Sequence, residues 1–292
     1  MFTHILLASD GSAHARRAAI HAVALAKTFG SRLTFMHVHT PFSLLAHLGE
    51  LSSTSKRQFM EKQWSDAFCD VIHLADSAGV AYQTVIEGGH PVEKIVQAAE
   101  KLEVDLVVIG GRGAGGIKSL MLGSVADGAL HHAHCPVLIV RGKRDAAGDG
   151  LFHNILLASD GSKCALHAAE AAGAIAEKLA APVTIVNVFE PPVYADAYGM
   201  MVYYGLDDEF VDKAQEEAIC SAGRIVDDHN APFRRRKERG FSETEIMRVA
   251  DEDKCDLIVL GSRGLSGVRA LLIGSISDRV AHQADCPVLI VK

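Results

Sequence analysis

Two stretches of this chain hold residues whose types and spacing suit phosphate chemistry. Gly110, Gly113, Gly123 and Ser124 follow the order Gly, two residues, Gly, nine residues, Gly-Ser, and Gly261, Gly264, Gly274 and Ser275 repeat it. A glycine at the end of a strand lets the backbone turn and approach a ligand with no Cβ in the way. Ser124 and Ser275 stand where a helix is expected to begin, with Asp127 and Asp278 three residues on, which reads as a capping box. A helix N-terminus offers free N–H groups and partial positive charge, so it suits a phosphate. Arg112, Arg263, Lys118 and Arg269 add positive charge nearby. Asp10 and Asp160 lie just past the C-terminal end of the first strand of each copy, on the rim where open parallel sheets bind ligands. A carboxylate there can bond a ribose or an adenine amino group. The plainer alternatives are a tight loop with capping serines, and an Asp-Gly-Ser turn.

Other motifs fail on their spacing. GRGAGG at 111–116 fits G-x-G-x-x-G, but it follows the fourth strand instead of the first, and Ser262 replaces Gly111 in the second copy. In GGIKS, Ile117 separates Gly116 from Lys118, so no Walker A ending is present. His131, His132 and His134 do not converge on one ion from a helix, and only His131 recurs, as His282. No Ser-His-Asp or Cys-His set can be built from these spacings, so no catalytic residue and no metal ligand is assigned.

The elements that must position these residues come in two copies. ILLASDGS occupies 5–12 and 155–162, CPVLIV occupies 135–140 and 286–291, and 110–124 aligns with 261–275 at seven of fifteen positions. An offset of 150 or 151 residues means duplication of a whole domain. The first copy predicts strands at His4–Ala8, Leu33–Val38, Ala81–Glu87, Leu106–Gly110 and Val137–Val140. Helices are predicted over about 13–29, 54–78, 91–101 and 124–132. The second predicts strands near 154–158, 183–188, 233–238, 257–261 and 288–291. Apolar strands alternating with helices mean an α/β fold, a parallel sheet covered on both faces. The expected domains are 1–143 and 151–292, with a polar, Gly-containing linker over 141–153. The segment FRRRKER (233–239) is too basic for a central strand and is expected at an edge.

Composition narrows the function further. Among 292 residues, 49% are hydrophobic and 22% charged, with a net charge of -7, which speaks against general nucleic-acid binding. Six cysteines show no CxxC spacing and are expected to be reduced and mostly buried. No apolar run approaches a membrane span and no leader pattern opens the chain, so a cytoplasmic protein is expected.

The SDGS turn after the first strand, the G-x2-G-x9-G-S loop and the closing CPVLIV strand together resemble the universal stress protein family, twice over and across nearly the whole chain. That resemblance implies two tandem, open, five-stranded parallel sheets of strand order 3-2-1-4-5. They are Rossmann-like sheets of the adenine nucleotide alpha hydrolase type, with FRRRKER on an edge. It also implies ATP as ligand, with AMP or ADP as alternatives and Mg2+ accompanying ATP. By that likeness Ala8, Ser9 and Asp10, with Ala158, Ser159 and Asp160, meet adenine and ribose, and Val38 and Val188 contact adenine through their backbone. The glycine loops, Ser124 with Val125, and Ser275 with Ile276, hold ribose and phosphates. Proline replaces Ala8 and Ala158 in some members. The family pairs its domains through the last strand, so an intrachain pseudo-dimer, with a further homodimer, is expected; no protein partner is named. The expected function is a nucleotide-dependent stress-response regulator with two nucleotide sites. The alternatives are a slow ATP hydrolase and a scaffold or hydrophobic-ligand binder. The last would use the connection carrying Tyr194, Tyr198, Met200, Met201, Tyr203 and Tyr204, where the first copy has Leu44, Leu45 and Leu48.

Overall fold

Apolar runs of four to eight residues build the centre of each sheet. A computed structural model describes residues 1–39, 68–112, 122–141, 149–191, 193–195, 201–203, 207–265 and 273–292. It divides into one unit of Met1–Leu151 with Asp285–Leu289, and a second of Phe152–Ala284 with Ile290–Lys292.

In the first unit the strands are β1 (His4–Ala8), β2 (Arg32–His39), β3 (Tyr82–Gly88), β4 (Leu106–Gly110) and β5 (Val137–Val140). The helices are α1 (Ala13–Phe29), α2 (68–78), α3 (Pro91–Lys101) and α4 (Ser124–His132). β1 pairs in parallel with β2 and β4, β2 with β3, and β4 with β5, so the order is 3-2-1-4-5. Residues Ile5, Leu6 and Leu7 of β1 and Leu106 to Val108 of β4 are fully buried. Each such side chain contributes on the order of 1.5–3 kcal/mol of apolar burial. α1 turns an alanine-rich face (Ala15, Ala18, Ala19, Ala22, Ala26) to the sheet, so helix and strands approach closely.

The second unit repeats this plan with β6 (Ile155–Ala158), β7 (Val183–Phe189), β10 (Phe233–Arg239), β11 (Leu257–Gly261) and β12 (Val288–Val291). Its helices are α5 (Lys163–Leu179), α6 (Asp208–Asp228), α7 (Ser242–Glu252) and α8 (Ser275–Gln283). The order is β10-β7-β6-β11-β12, and β10 with β7, β7 with β6, and β6 with β11 pair in parallel. α5 packs on α6 and α7 packs on α8, with both pairs against the sheet, so helices cover both faces. The connection after β7 contains an antiparallel hairpin, β8 (Val193–Ala195) with β9 (Met201–Tyr203), where the sequence predicts no strand. Tyr198, Met200, Tyr204, Leu44, Leu45 and Leu48 lie outside the described residues.

The basic strand β10 does take the edge of its unit's order. Its period-two alternation sorts the charges onto two acidic partners. Arg235 and Lys237 reach Glu216, Lys237 also Asp212, and Arg239 Asp208, all on α6. Arg236 pairs with Glu252 and Asp253 at the end of α7 and with Glu238 of its own strand. A strand so paired is no free cationic patch for a nucleic acid.

One expectation needs correction. No disulfide joins the six cysteines, but only Cys255 and Cys286 are buried; Cys135, Cys164 and Cys220 are half-buried and Cys69 is exposed. The described ends of the expected linker are packed: Arg141 and Phe152 are buried, and the ring of His21 donates to the carbonyl of Gly150 at 2.9 Å. No helix among the described residues is long and apolar enough to cross a membrane.

Candidate functional site

The first strand of each unit ends in Ala-Ser-Asp-Gly-Ser, and the bonds around this turn are the same in both. Ser9 N–H donates to Met36 carbonyl at 2.8 Å, and Ser159 N–H to Val186 carbonyl at 3.0 Å. Asp10 Oδ1 accepts Ser12 N–H, and Asp160 Oδ1 accepts Ser162 N–H, each at 3.0 Å. Gly11 and Gly161 take φ of 76° and 78°, the left-handed region a side chain resists. Ser12 and Ser162 then cap α1 and α5 by accepting the N–H of Ala15 and Ala165. The turn is thus also the Asp-Gly-Ser cap of the plainer reading, and it leaves its aspartate on the crevice rim.

Strand two supplies a clamp that the sequence did not reveal. The amide of Asn187 donates to the Ser159 carbonyl at 2.8 Å, and Nδ1 of His37 donates to the Ser9 carbonyl at 2.8 Å. Gln215, buried on α6, donates to the carbonyls of Asn187 and Glu238 and joins the ends of β7 and β10.

The glycines separate into two classes. A Cβ on Gly110 would stand 2.8 Å from the carbonyl carbon of His14, and one on Gly261 would stand 2.5 Å from that of Cys164. These two glycines let strand and helix backbones touch, and Gly261 also lines the crevice described below. Gly264 and Gly274 differ. A Cβ on Gly264 meets only the carboxylate of Asp160, and one on Gly274 meets nothing nearer than 3.4 Å, at an ordinary φ of -70°. Gly113 lies outside the described residues, as do Lys118 and Arg269.

Both loops close at their base in one way. Gly123 N–H bonds Gly111 carbonyl and Gly274 N–H bonds Ser262 carbonyl, while Gly111 and Ser262 bond the last residues of β5 and β12. In the second unit Asp160 Oδ2 also accepts the N–H of Leu265 at 2.9 Å, and Ser162 Oγ donates to the Arg263 carbonyl at 3.2 Å, so the turn holds the loop.

The capping-box reading is overturned. The N-caps are Gly123 and Gly274, neither end has a side-chain cap, and Asp127 and Asp278 sit a position too late, where their N–H groups bond the glycine carbonyls. Ser124 and Ser275 are therefore the first helical residues, both exposed, and the opening N–H groups of α4 and α8 keep no intrahelical acceptor. Such an end favours an anion. The recurring histidines serve their own helices: Nδ1 of His131 and of His282 each donate to the carbonyl four residues back, at 2.9 Å.

In the second unit these parts surround a cavity of about 300 Å³. Ala158, Ser159, Asp160 and Val188 line it from the strand ends; Gly261, Arg263, Gly264, Gly274, Ser275 and Ile276 line it from the loop. The ten residues expected to hold the ligand in this copy are all there. Ala165, Val186, Asn187, Ser242, Ile246, Leu260, Leu265 and Ser277 complete the wall. Its apolar side suits a flat heterocycle and its helix end suits phosphate. In the first unit Ala8 and Ser9 are buried, Asp10 and Ser124 are exposed, and Val38, Arg112, Gly123 and Val125 are half-buried at the corresponding strand and helix ends.

The first unit carries imidazoles where the second does not. Burial, and then the charges of Arg112, Arg17 and Arg141, lower the pKa of His14 from its ordinary 6.5, with Asp10 opposing. Burial and the neighbouring His37 likewise lower that of His39, against Glu87. The second unit has Cys164, Asn187 and Phe189 at these places.

Known proteins share this architecture. A universal stress protein of Mycolicibacterium smegmatis is 28% identical over 306 aligned residues, spanning 99% of this chain and 96% of the relative. One from Thermus aquaticus is 39% identical over 145 residues, 48% of this chain and all of the relative. The crystal structure of a universal stress protein from Archaeoglobus fulgidus superposes with a TM-score of 0.72 at 24% identity, covering 99% of this chain and 98% of that one. The model of the universal stress protein family matches residues 1–141 and again 151–292, so this chain belongs to that family, with two of its domains in tandem.

Proposed function

We propose that the crevice of each unit binds an adenine nucleotide, ATP first among them, and that occupancy makes this protein a nucleotide-dependent regulator in the stress response. The observation that carries the reading is the cavity of about 300 Å³ that ends on the uncapped N-terminus of α8. In this reading Ala158, Val186, Val188 and Ile246 sandwich the adenine and Asp160 faces the ribose. The N–H groups of Ser275 and Ile276, with Arg263 and the space left by Gly264 and Gly274, take the phosphates. Ala8, Ser9, Asp10, Val38, Gly110, Arg112, Gly113, Gly123, Ser124 and Val125 supply the matching parts in the first unit. The fit is supported by Gly264, which lines the crevice and where a Cβ would stand 2.5 Å from the Asp160 carboxylate. ATP would bring Mg2+ as its counter-ion.

Hydrolysis in this reading is slow at most. Asp160 spends an oxygen on each of two backbone N–H groups, which makes it a poorly placed general base. Protein purified without added nucleotide, denatured and analysed by mass spectrometry, should release ATP, ADP or AMP. Release of a lipid or other apolar compound in place of a nucleotide would favour the hydrophobic-ligand reading.

A further inference from the structure

A buried hydroxyl interrupts the apolar side of the second unit's crevice. Ser242 opens α7, is 6% exposed and lines the cavity. Ile246, one turn on, lines it too, so the two share the face of α7 that the crevice sees. Gly240 brings the helix there. At φ 145° it turns the chain past β10, and its N–H donates to the Phe189 carbonyl at 3.0 Å, so α7 starts beside the end of β7. Ser242 Oγ donates to a carboxylate oxygen of Glu190, just past β7, at 3.4 Å. That bond spends the proton of the hydroxyl, and what Ser242 offers the crevice is its acceptor lone pairs.

The first unit has the same turn without that group. Gly89 takes φ 143°, its N–H donates to the His39 carbonyl at 3.0 Å, and Ile95 stands for Ile246. The helix that follows opens on Pro91, which has neither a hydroxyl nor an N–H. The place of Ser242 in the second unit follows from the strand order. It adjoins β7, on one side of β6, while α8 follows β11, on the other side. A nucleotide whose phosphates meet α8 therefore turns its base toward Ser242.

We infer that Ser242, oriented by Glu190, selects the base in the second crevice: its Oγ accepts a hydrogen bond from the exocyclic amine of a 6-aminopurine and disfavours a 6-oxopurine. The inference rests on the nucleotide reading above and adds a selectivity to one of its two sites. An oxo group sets its own lone pairs against those of Ser242. The hydroxyl turns to donate to it only by leaving Glu190, and a buried polar group without a partner is costly. Pro91 meets either base edge alike, so the first crevice draws no distinction through this position.

The test is calorimetry of ATP and of inosine triphosphate, which carries an oxo group in place of the amine, on the nucleotide-stripped chain. The second crevice is the one whose binding weakens in Gly264→Ala. There ATP is expected to bind about tenfold or more tightly than inosine triphosphate. Ser242→Pro installs the first unit's residue at the first position of a helix, where proline is well tolerated, and should bring the two nucleotides within about threefold. Glu190→Gln gives the partner a donor as well as an acceptor, which frees the hydroxyl to turn, and should strengthen inosine triphosphate binding. Equal binding of the two nucleotides in the second crevice, a ratio unchanged in Ser242→Pro, or inosine triphosphate bound no more tightly in Glu190→Gln overturns this inference and leaves the nucleotide reading standing. Absence of any ATP binding overturns both. Glu190 is exposed, so its variant decides the matter even where Ser242→Pro folds poorly.

Discussion

Asp160 and Gly264 meet across the mouth of the second unit's crevice, where a Cβ on the glycine would stand 2.5 Å from the carboxylate oxygen that accepts Leu265 N–H. One contact thus ties the turn after β6 to the loop after β11. Gly264→Ala must displace that carboxylate and break its bond to the loop. ATP binding to the second unit should weaken by tenfold or more, about 1.4 kcal/mol, while the melting temperature moves little. Calorimetry and thermal melting of the same variant check both halves.

Glycines of the same motif should respond differently. Gly261→Ala presses a methyl group into the backbone of Cys164 and Ala165, where nothing flexible can yield. Its cost should fall on folding, at roughly 1–3 kcal/mol or more. Gly274→Ala meets no atom nearer than 3.4 Å at an ordinary φ, so urea denaturation should find only the loss of a glycine N-cap, about 0.5–1 kcal/mol.

The two copies also differ at the end of their first helix. Gly30 closes α1 at φ 68°, and Ala180 closes α5 at φ 51°, both left-handed. A Cβ pays a steric penalty there that glycine avoids. Ala180→Gly should raise stability by about 0.5–1 kcal/mol, and Gly30→Ala should lower it by about as much. Urea midpoints measure both.

A pH dependence of stability is expected from His229. Its ring lies against Gly173 of α5, with Nδ1 3.1 Å from Glu177 and Nε2 3.2 Å from Glu170. Burial lowers its pKa, but hydrogen bonds to Glu177 and Glu170 outweigh burial and leave it above 6.5. A raised value means that the folded state favours the protonated ring. The stabilisation is therefore full below pH 6.5 and is lost as pH rises through the folded-state pKa. Urea midpoints from pH 6 to 8.5 should fall more steeply in the parent than in His229→Gln. Parallel curves would contradict the assignment.

Much of the sheet could be read from the chain because runs such as HILLA and LVVIG are apolar throughout, as strands buried on both faces must be. The edge position of FRRRKER also followed from its charge. Short elements did not declare themselves: β8 and β9 are three residues each, too brief for alternation to show. The capping error has a local cause, since Ser-x-x-Asp fits a box from Ser124, yet glycine is itself an acceptable N-cap. His37 and Asn187 escaped for another reason. Comparing copies retains identical residues, while these two perform one bond with different side chains, each to a carbonyl 28 positions away. The same comparison could not separate Gly261 from Gly264, because both are glycine for steric reasons that only the packed structure distinguishes.

The central claim is that each of the two crevices holds an adenine nucleotide. Titration of ATP into the nucleotide-stripped chain by calorimetry tests it most directly. Saturable binding to two sites per chain is the predicted result, with one of the two weakened tenfold or more in Gly264→Ala. A flat titration from protein shown to be folded would contradict it.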